Sequence, residues 1–293
     1  MRRRLLFVLV LAALSACNRT AEAAREELVQ MNIIYSDASF LEQATQGNAE
    51  AVRLFLSAGI NPEAKTNEGQ TAIMAAALAG HFETVSALLD KGANVNAINK
   101  FGGTALMGAT WKGHEPIVKL LLAHNAKLDI RDNRGMTALM FAAWENRSQS
   151  LTLLLDKGAN LEVRDSSDWT ALMRAAFKGH QEAVLSLLEK GADVDARTSS
   201  GESALIFAAD AGHTETVKEL LEKGADVSAR DGDGRTALFK ASARGYPGLV
   251  RALLARGADP AVRDSNGKTA LDIAQEQHHG EVIQILRDAT ASQ

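Results

Sequence analysis

The chain contains one cysteine, Cys17, among its 293 residues. A single cysteine cannot form an intramolecular disulfide, so the sequence excludes a small scaffold held together by disulfides. Proline is scarce, with 4 residues, and aromatic residues make up only 5% of the chain. Hydrophobic residues still account for 46%, which is enough for a continuous apolar core.

The chain also lacks an excess of positive charge. It has 32 basic and 36 acidic residues, for a formal net charge of −4. A nucleic-acid-binding domain is recognised by a basic patch or stripe. The composition therefore predicts no nucleic-acid partner.

Motifs for catalysis and cofactor binding are missing as well. Gly267-Lys268-Thr269 ends like a phosphate-binding loop, but Val262 stands where that loop requires its first glycine. The glycines of Gly232-Asp233-Gly234 follow no predicted strand, so they do not form a dinucleotide fingerprint. No Gly-x-Ser-x-Gly sequence is present. We therefore predict no enzyme activity, no cofactor and no small-molecule substrate.

What the sequence does have is a hydroxyl residue at every thirty-third position. A period of this length predicts an array of stacked repeats, each built from two short helices. The series comprises Thr71, Thr104, Thr137, Thr170, Ser203, Thr236 and Thr269.

Residues 165–197 show what one repeat contains. Thr170 follows a polar, turn-forming stretch and lies where a helix N-cap is needed. Residues 171–177 are predicted to form a first helix rich in small side chains, which allow neighbouring repeats to stack closely. Residues 181–190 have an apolar stripe at helical spacing, and Gly191 then ends this second helix.

Three series of glycines keep the same period, and their exceptions are Asn or Asp. These are the other residues that best tolerate a positive φ, so each series predicts one repeated backbone conformation. The first series is Gly69, Gly102, Gly135, Asp168, Gly201, Gly234 and Gly267; the second is Gly47, Gly80, Gly113, Asn146, Gly179, Gly212 and Gly245; the third is Gly59, Gly92, Asn125, Gly158, Gly191, Gly224 and Gly257.

These segments resemble the ankyrin-repeat family. Residues 231–243 read DGDGRTALFKASA and residues 218–229 read KELLEKGADVSA, close to the two halves of the family motif. The resemblance implies an all-α solenoid of stacked helix-turn-helix units with β-turn tips. About eight repeats are expected, near 33–65, 66–98, 99–131, 132–164, 165–197, 198–230, 231–263 and 264–293.

The repeats differ from the family at one stabilising position and match it at another. Where the family has Pro-Leu-His, four repeats have Ala-Leu-Met or Ala-Ile-Met, so packing must replace the family's Thr–His hydrogen bond. A different histidine follows the repeat glycine in four repeats, and the resemblance implies that it is structural. One histidine per repeat cannot converge on a metal ion, so no metal site is predicted. These histidines are His81, His114, His180 and His213.

The first 16 residues are predicted to be a lipoprotein signal peptide. Arg2-Arg3-Arg4 precedes an apolar run from Leu5 to Leu14, which is too short to span a bilayer. Leu14-Ser15-Ala16-Cys17 resembles the lipobox of bacterial lipoproteins, which implies cleavage before Cys17 and lipid attachment to it. A soluble, exported protein is the alternative.

Residues 17–32 are expected to be the lipidated N-terminus and a short polar or helical tether, leading to a repeat domain at 33–293. Asn18 is not the Asp that retains enteric lipoproteins in the inner membrane. The expected location is therefore the outer membrane, facing the periplasm, with the lipid at Cys17 as the membrane contact.

In ankyrin proteins the turn tips and the first helices line a concave groove, and the position after the helix's Ala-Ala pair commonly contacts partners. Three consecutive repeats carry a large aromatic residue there, and interface hot spots are enriched in such residues. For Phe141 and Phe207, packing between repeats is an equal alternative. The predicted partner-binding residues are Phe101, Trp111, Met136, Phe141, Trp144, Trp169, Phe177 and Phe207.

The resulting hypothesis is a non-enzymatic interaction protein anchored in the bacterial envelope. Periplasmic ankyrin proteins that resemble it restrain or protect periplasmic enzymes, so a role as an immunity protein or inhibitor is expected. The alternatives are support of a periplasmic catalase in oxidative-stress defence and a structural envelope scaffold. The sequence does not identify the partner.

Overall fold

The computed structural model describes residues 20–291 and divides the chain into two compact units, Met1–Asn133 and Arg134–Gln293. We call them the N-terminal and the C-terminal unit. The N-terminal unit contains α1 (20–30), α2 (Asp37–Gln46), α3 (Ala49–Ser57), α4 (Ala72–Ala79), α5 (Phe82–Asp90), α6 (Ala105–Lys112) and α7 (Glu115–Ala123). The C-terminal unit contains α8 (Ala138–Trp144), α9 (Ser148–Asp156), α10 (Ala171–Lys178), α11 (Gln181–Glu189), α12 (Ala204–Ala211), α13 (Thr214–Glu222), α14 (Ala237–Arg244), α15 (Pro247–Ala255), α16 (Ala270–Glu276) and α17 (Gly280–Ala291).

From α2 onwards the helices form pairs, and within each unit every pair stacks on the next. The first helices of neighbouring pairs are in contact, as are the second helices. In the described residues the remaining regular structure consists of two isolated β-bridges, one of them between Arg197 and Ser203. The predicted all-α fold of stacked helix-turn-helix repeats is confirmed.

The first helix of each pair begins at the hydroxyl residue of the 33-residue series. In six of the seven cases the side-chain oxygen accepts a hydrogen bond from the amide three residues later, at 3.2–3.4 Å. This confirms the predicted N-caps. Thr71 is the exception, because its buried hydroxyl has no hydrogen-bond partner in the described chain. In one Ala-Leu-Met repeat the sulfur of Met173 accepts the Thr170 amide at 3.5 Å, at the position of the family's histidine.

Small side chains allow the first helices to lie close together. Five of the eight residues of α10 are buried, and three of those five are alanine. The second helices bury one apolar stripe, which in α11 includes Val184 and Leu187. Each unit therefore has a continuous core made of Ala-rich first helices and Leu-rich second helices.

All three glycine series adopt positive φ values, including their Asn and Asp members. The second series also serves packing. A Cβ on Gly47 would lie 2.4 Å from Nδ1 of His81, because the histidine of the next repeat packs over that glycine. His278 occupies the next position of this series and also has a positive φ of 59°, although it is neither Gly, Asn nor Asp.

The helix at 20–30 belongs to the folded N-terminal unit. Ala24 and Leu28 are buried, and Arg25 donates to the carbonyl oxygen of Ala58 at 3.3 Å. Tyr35 donates to the same oxygen at 3.1 Å and stacks on Phe55. Most of the segment predicted as a tether is therefore a helix that is partly buried and contacts the end of α3.

The predicted signal peptide and Cys17 lie outside the described residues. Within residues 20–291, no helix combines the length and the apolar character that are needed to cross a membrane.

Candidate partner-binding surface

Two aromatic residues lie at equivalent positions on neighbouring first helices of the C-terminal unit. Trp144 is the last residue of α8, and Phe177 is the seventh of α10. Both helices are fixed at their starts by N-caps, since Thr137 and Thr170 each accept an amide hydrogen bond at 3.3 Å. The two rings stack with centroids 6.1 Å apart and an interplanar angle of 11°.

Two further rings extend this pair into an aromatic cluster, which we define as Trp144, Trp169, Phe177 and Phe207. Trp169 comes from the turn before α10 and meets Phe177 edge-on at 5.3 Å. It also contacts Phe207 of α12 at 4.2 Å. Offset and edge-on ring pairs of this kind add about 0.5–1.5 kcal/mol beyond their buried area, so the cluster is held in a defined geometry.

A buried ion pair supports the cluster from its own repeat. The guanidinium of Arg174 lies 5.1 Å from the Trp144 centroid and 4.7 Å from that of Trp169. Its Nε donates to Oδ2 of Asp165 at 2.7 Å, and its Nη2 donates to the same oxygen. Oδ1 of Asp165 accepts the amides of Ser167 and Trp169. The turn, the cation and the two tryptophans therefore form one connected structure.

Lys178 places a second cation at the cluster, with its Nζ 5.0 Å from the Trp144 centroid. The residue is exposed, and in the described chain it has no carboxylate within salt-bridge distance. Sequence reasoning missed both Arg174 and Lys178. Their signal was a pair of basic residues four apart on α10, on either side of Phe177.

Imidazoles from the following repeats hold the backbone beneath the two stacked rings. The Nε2–H of His180 donates to the carbonyl of Trp144 at 3.0 Å, and that of His213 donates to the carbonyl of Phe177 at 3.0 Å. Burial lowers the pKa of His180, which favours the neutral ring.

The other predicted structural histidines make the same contact. His81 and His114 reach the carbonyls of Thr45 and Leu78 at 3.0 and 3.2 Å. His279 contacts the carbonyl of Ala243 in the same way at 3.0 Å, although His278 and not a glycine precedes it. The predicted structural role is confirmed. In the described residues no group of three His, Cys, Asp or Glu side chains could hold a metal ion.

The predicted contact residues of the C-terminal unit differ in how exposed their side chains are. Trp144, Trp169 and Phe177 are half-buried and share the cluster, and Phe141 is half-buried beside Arg134. Phe207 and Met136 are buried, with 7% and 6% of their surfaces exposed. The burial of Met136 corrects its prediction as an exposed contact residue, and for Phe207 the structure shows the alternative, packing between repeats. Trp169 packs on Phe207. The buried Phe207 ring therefore supports the cluster and does not offer its own surface to a partner.

In the N-terminal unit both predicted residues are exposed. Phe101 is 59% exposed and Trp111 is 41% exposed. Lys112 lies over the Trp111 ring with its Nζ 4.2 Å from the centroid. Ile98, in the turn that contains Phe101, is 47% exposed and was not predicted.

The chain matches a model of a known protein family. A family model described as ankyrin repeats (three copies) matches residues 40–132, 91–165, 124–198 and 205–293. The matched segments cover both units and include every residue of the aromatic cluster. No curated protein matches the sequence.

Proposed function

Since the chain belongs to the ankyrin-repeat family, a family of protein-interaction modules, we propose that it binds a periplasmic protein and restrains or protects it. The observation that supports this proposal is the aromatic cluster of the C-terminal unit. It presents the half-buried rings of Trp144 and Phe177 on neighbouring first helices. Aromatic residues held in a fixed geometry supply much of the binding energy in protein interfaces.

The energetics of the cluster suit binding. Large aromatic side chains bury about 150–250 Å² each in interfaces and cores. The cluster is fixed before a partner arrives, because Arg174, Asp165 and the two histidine hydrogen bonds already order it. Binding therefore loses little side-chain entropy, and such preorganisation increases affinity.

Restraint follows from steric exclusion in this proposal. A partner whose active site faces the repeats is covered by them, so inhibition or protection needs no chemistry from the chain. The chain is placed at the outer membrane by lipidation of Cys17. Two or more acyl chains anchor a protein stably, at about 0.8 kcal/mol per buried methylene group.

Site-specific photocrosslinking in intact cells tests the binding surface. A benzoylphenylalanine at position 177 should give a discrete crosslinked product. The same residue at Phe82, an exposed aromatic position on the second helix α5, is the matched control and should give none. Trp144→Ala should remove the product at position 177. Equal products from both positions would contradict the proposed surface.

The identity of the crosslinked protein distinguishes the functional alternatives. A toxic or degradative hydrolase supports restraint, a catalase indicates oxidative-stress defence, and a structural envelope protein indicates a scaffold. Labelling with palmitate tests the anchor separately. The wild-type chain should be labelled and Cys17→Ser should not, whereas equal labelling would show that Cys17 is not the lipid site.

A further inference from the structure

The turn that follows α1 exposes an apolar surface in the N-terminal unit. Val29 is 73% exposed and Ile34 is 78% exposed, more than any other large hydrophobic residue that the structure describes. Met31 lies between them in the chain and is 37% exposed. Residues 28–36 contain no charged side chain. We call Val29, Met31 and Ile34 the apolar turn.

Backbone hydrogen bonding fixes the shape of the apolar turn. The amide of Ile33 donates to the carbonyl of Leu28 at 2.8 Å, and Asn32 has a positive φ of 59°. This arrangement closes the C-terminus of a helix through a left-handed residue. Val29 and Ile34 are the sequence neighbours of the two bonded residues. Their exposure therefore belongs to an ordered turn.

The residues beside the apolar turn are used by the fold, whereas the turn itself is not. Leu28 is buried, and the ring of Tyr35 stacks on Phe55. The described part of the N-terminal unit leaves Val29 and Ile34 largely uncovered. Burial of apolar surface is favourable in proportion to its area, and exposed apolar patches mark contacts with other proteins or with membranes.

The distance from the proposed lipid site indicates which of these covers the turn. Cys17 lies three residues before Thr20, where α1 begins, and three extended residues span at most about 10 Å. The helix runs over residues 20–30 and is about 15 Å long at 1.5 Å per residue. The apolar turn therefore lies within about 25 Å of the lipid-bearing residue.

The helix that joins the two is fixed to the N-terminal unit. Ala24 and Leu28 are buried, and Arg25 donates to the carbonyl oxygen of Ala58 at 3.3 Å. A lipid on Cys17 would thus hold the folded unit itself at the bilayer and would not suspend it on a long tether. The apolar turn is then kept close to the lipid surface.

The charges of α1 indicate the kind of lipid. Its charged side chains are all exposed, and they comprise one cation, Arg25, against the three carboxylates of Glu22, Glu26 and Glu27. Anionic membranes attract segments that are rich in lysine and arginine, so electrostatic attraction does not favour this surface. Insertion of uncharged, apolar side chains into a zwitterionic interface fits it better.

We propose that the apolar turn inserts into the interface of a zwitterionic phospholipid bilayer and orients the N-terminal unit there. Its side chains occupy the boundary between headgroups and acyl chains, where the apolar faces of interfacial helices also lie. The acyl chains on Cys17 attach the protein, and the turn sets its orientation. The inference rests on the lipid anchor that is part of the proposed function. A second copy of the chain is the competing occupant.

The anchor can be reproduced chemically, because Cys17 is the only cysteine. A chain that begins at Cys17 keeps every residue that the structure describes, and its thiol couples to a maleimide lipid in phosphatidylcholine vesicles. An amino acid that carries the fluorophore NBD at position 34 reports insertion. On coupling, its emission should rise by about two-fold or more and shift to the blue, because the fluorophore enters the headgroup and acyl boundary. A nitroxide-labelled lipid should quench it.

The matched control carries the same fluorophore at position 98. Ile98 is another exposed aliphatic residue of the N-terminal unit, but it lies in the turn before α6. Its emission should not change on coupling. In the chain labelled at position 34, Val29→Ser combined with Met31→Ser should remove about half or more of the gain, because apolar area is lost from the turn. Both residues are exposed, so the fold should tolerate these changes.

Unchanged emission at position 34 would overturn the proposal. Equal gains at positions 34 and 98 would overturn it too, because they would show that the unit contacts the bilayer without a preferred face. A gain at position 34 that disappears when the coupled chains are diluted on the vesicle would assign the apolar turn to contact between two copies of the chain.

Failure here is distinguishable from failure of the proposed function. Chemical coupling supplies the anchor whether or not the cell attaches lipid to Cys17, and palmitate labelling tests that step separately. The photocrosslink at position 177 depends on the aromatic cluster and requires no contact between the apolar turn and a bilayer. If the crosslink forms while position 34 does not respond, the partner-binding surface stands and the membrane inference fails.

Discussion

At the scale of single residues, neighbouring repeats are joined by a ring that packs over a glycine. His213 donates to the carbonyl of Phe177, and a Cβ added to Gly179 would lie 2.5 Å from its Nδ1. Tyr246 packs over Gly212 in the same way, 2.8 Å from the added Cβ. Glycine is thus required here both for its positive φ and for the space that it leaves. The same contact fixes the backbone of a predicted partner-binding residue.

Gly179→Ala should therefore destabilise the protein more than Gly257→Ala. Both glycines have positive φ, 70° and 85°, but an added Cβ at Gly257 would meet no atom within 4 Å. The left-handed conformation alone costs about 1–2 kcal/mol for a residue with a Cβ. Gly179→Ala should exceed this by about 1 kcal/mol or more, because displacing His213 leaves the Phe177 carbonyl without its partner.

Urea denaturation of the two variants and the wild type measures the difference in the free energy of unfolding. Equal losses in the two variants would show that the ring contact contributes nothing to the stacking of the repeats.

At the scale of one helix, α16 begins with a reciprocal capping box. The amide and the hydroxyl of Thr269 both donate to Oδ2 of Asp272 at 2.8 Å. In return, Oγ1 of Thr269 accepts the amide of Asp272 at 3.2 Å. The hydrogen bonds from Thr269 lower the pKa of Asp272, because they favour the ionised carboxylate. No other first helix starts with an acidic residue at this position in the described chain.

This box predicts a pH dependence of stability. The ordinary pKa of aspartate is about 3.9, and the folded-state pKa of Asp272 lies below it. The stabilisation is therefore fully present above the ordinary pKa and is lost as the pH falls through the folded-state pKa. Asp272→Asn should lower the free energy of unfolding by about 1 kcal/mol at pH 7, and its difference from the wild type should shrink as the pH falls through the folded-state pKa of Asp272.

Asp90→Asn is the control for this prediction, because Asp90 is exposed at the end of α5 and surface substitutions change stability by about 0.5 kcal/mol or less. Urea denaturation at several pH values measures all three proteins. A difference between Asp272→Asn and wild type that does not shrink as the pH is lowered below the ordinary pKa of aspartate would contradict the role of the ionised carboxylate.

At the scale of the whole molecule, the sequence predicted the features that depend on a single residue and its local backbone, such as helix caps and positive φ angles. Thr170 had to cap a helix, and Gly179 and Asn146 had to adopt a positive φ, so their spacing revealed the repeat. The exposure of a ring depends instead on its neighbours. Phe207 is buried because Trp169 packs on it at 4.2 Å, and no spacing rule within α12 contains that information.

The cations of the aromatic cluster were hidden from the sequence for the same reason. Arg174 meets Asp165 nine residues away across a turn, and its guanidinium lies over Trp144 of the preceding helix pair. The contact with Trp144 exists only once the two helix pairs have stacked. The sequence could therefore predict the aromatic residues of the cluster but not its cations.

The stacking of the helix pairs also predicts that the last pair stabilises the protein. In a repeat array, stability is approximately the sum of the repeats and their neighbour interfaces. The pair α16 and α17 packs against α14 and α15 and buries Val282 and Leu286. Full burial of one such side chain is worth about 1.5–3 kcal/mol, so removing residues 264–293 should cost several kcal/mol.

The expected result is a melting temperature lower by about 5 °C or more, since about 1 kcal/mol corresponds to 2–4 °C for 150–250 residues. Removing residues 264–293 also takes Asp264 from Arg235, which keeps its ion pair with Asp233. The control is removal of residues 288–293, which lie beyond the last buried residue of α17. Circular dichroism of the three proteins measures the shift. If both truncations melt like the wild type, the last pair does not stabilise its neighbours, and the array is held by its other interfaces alone.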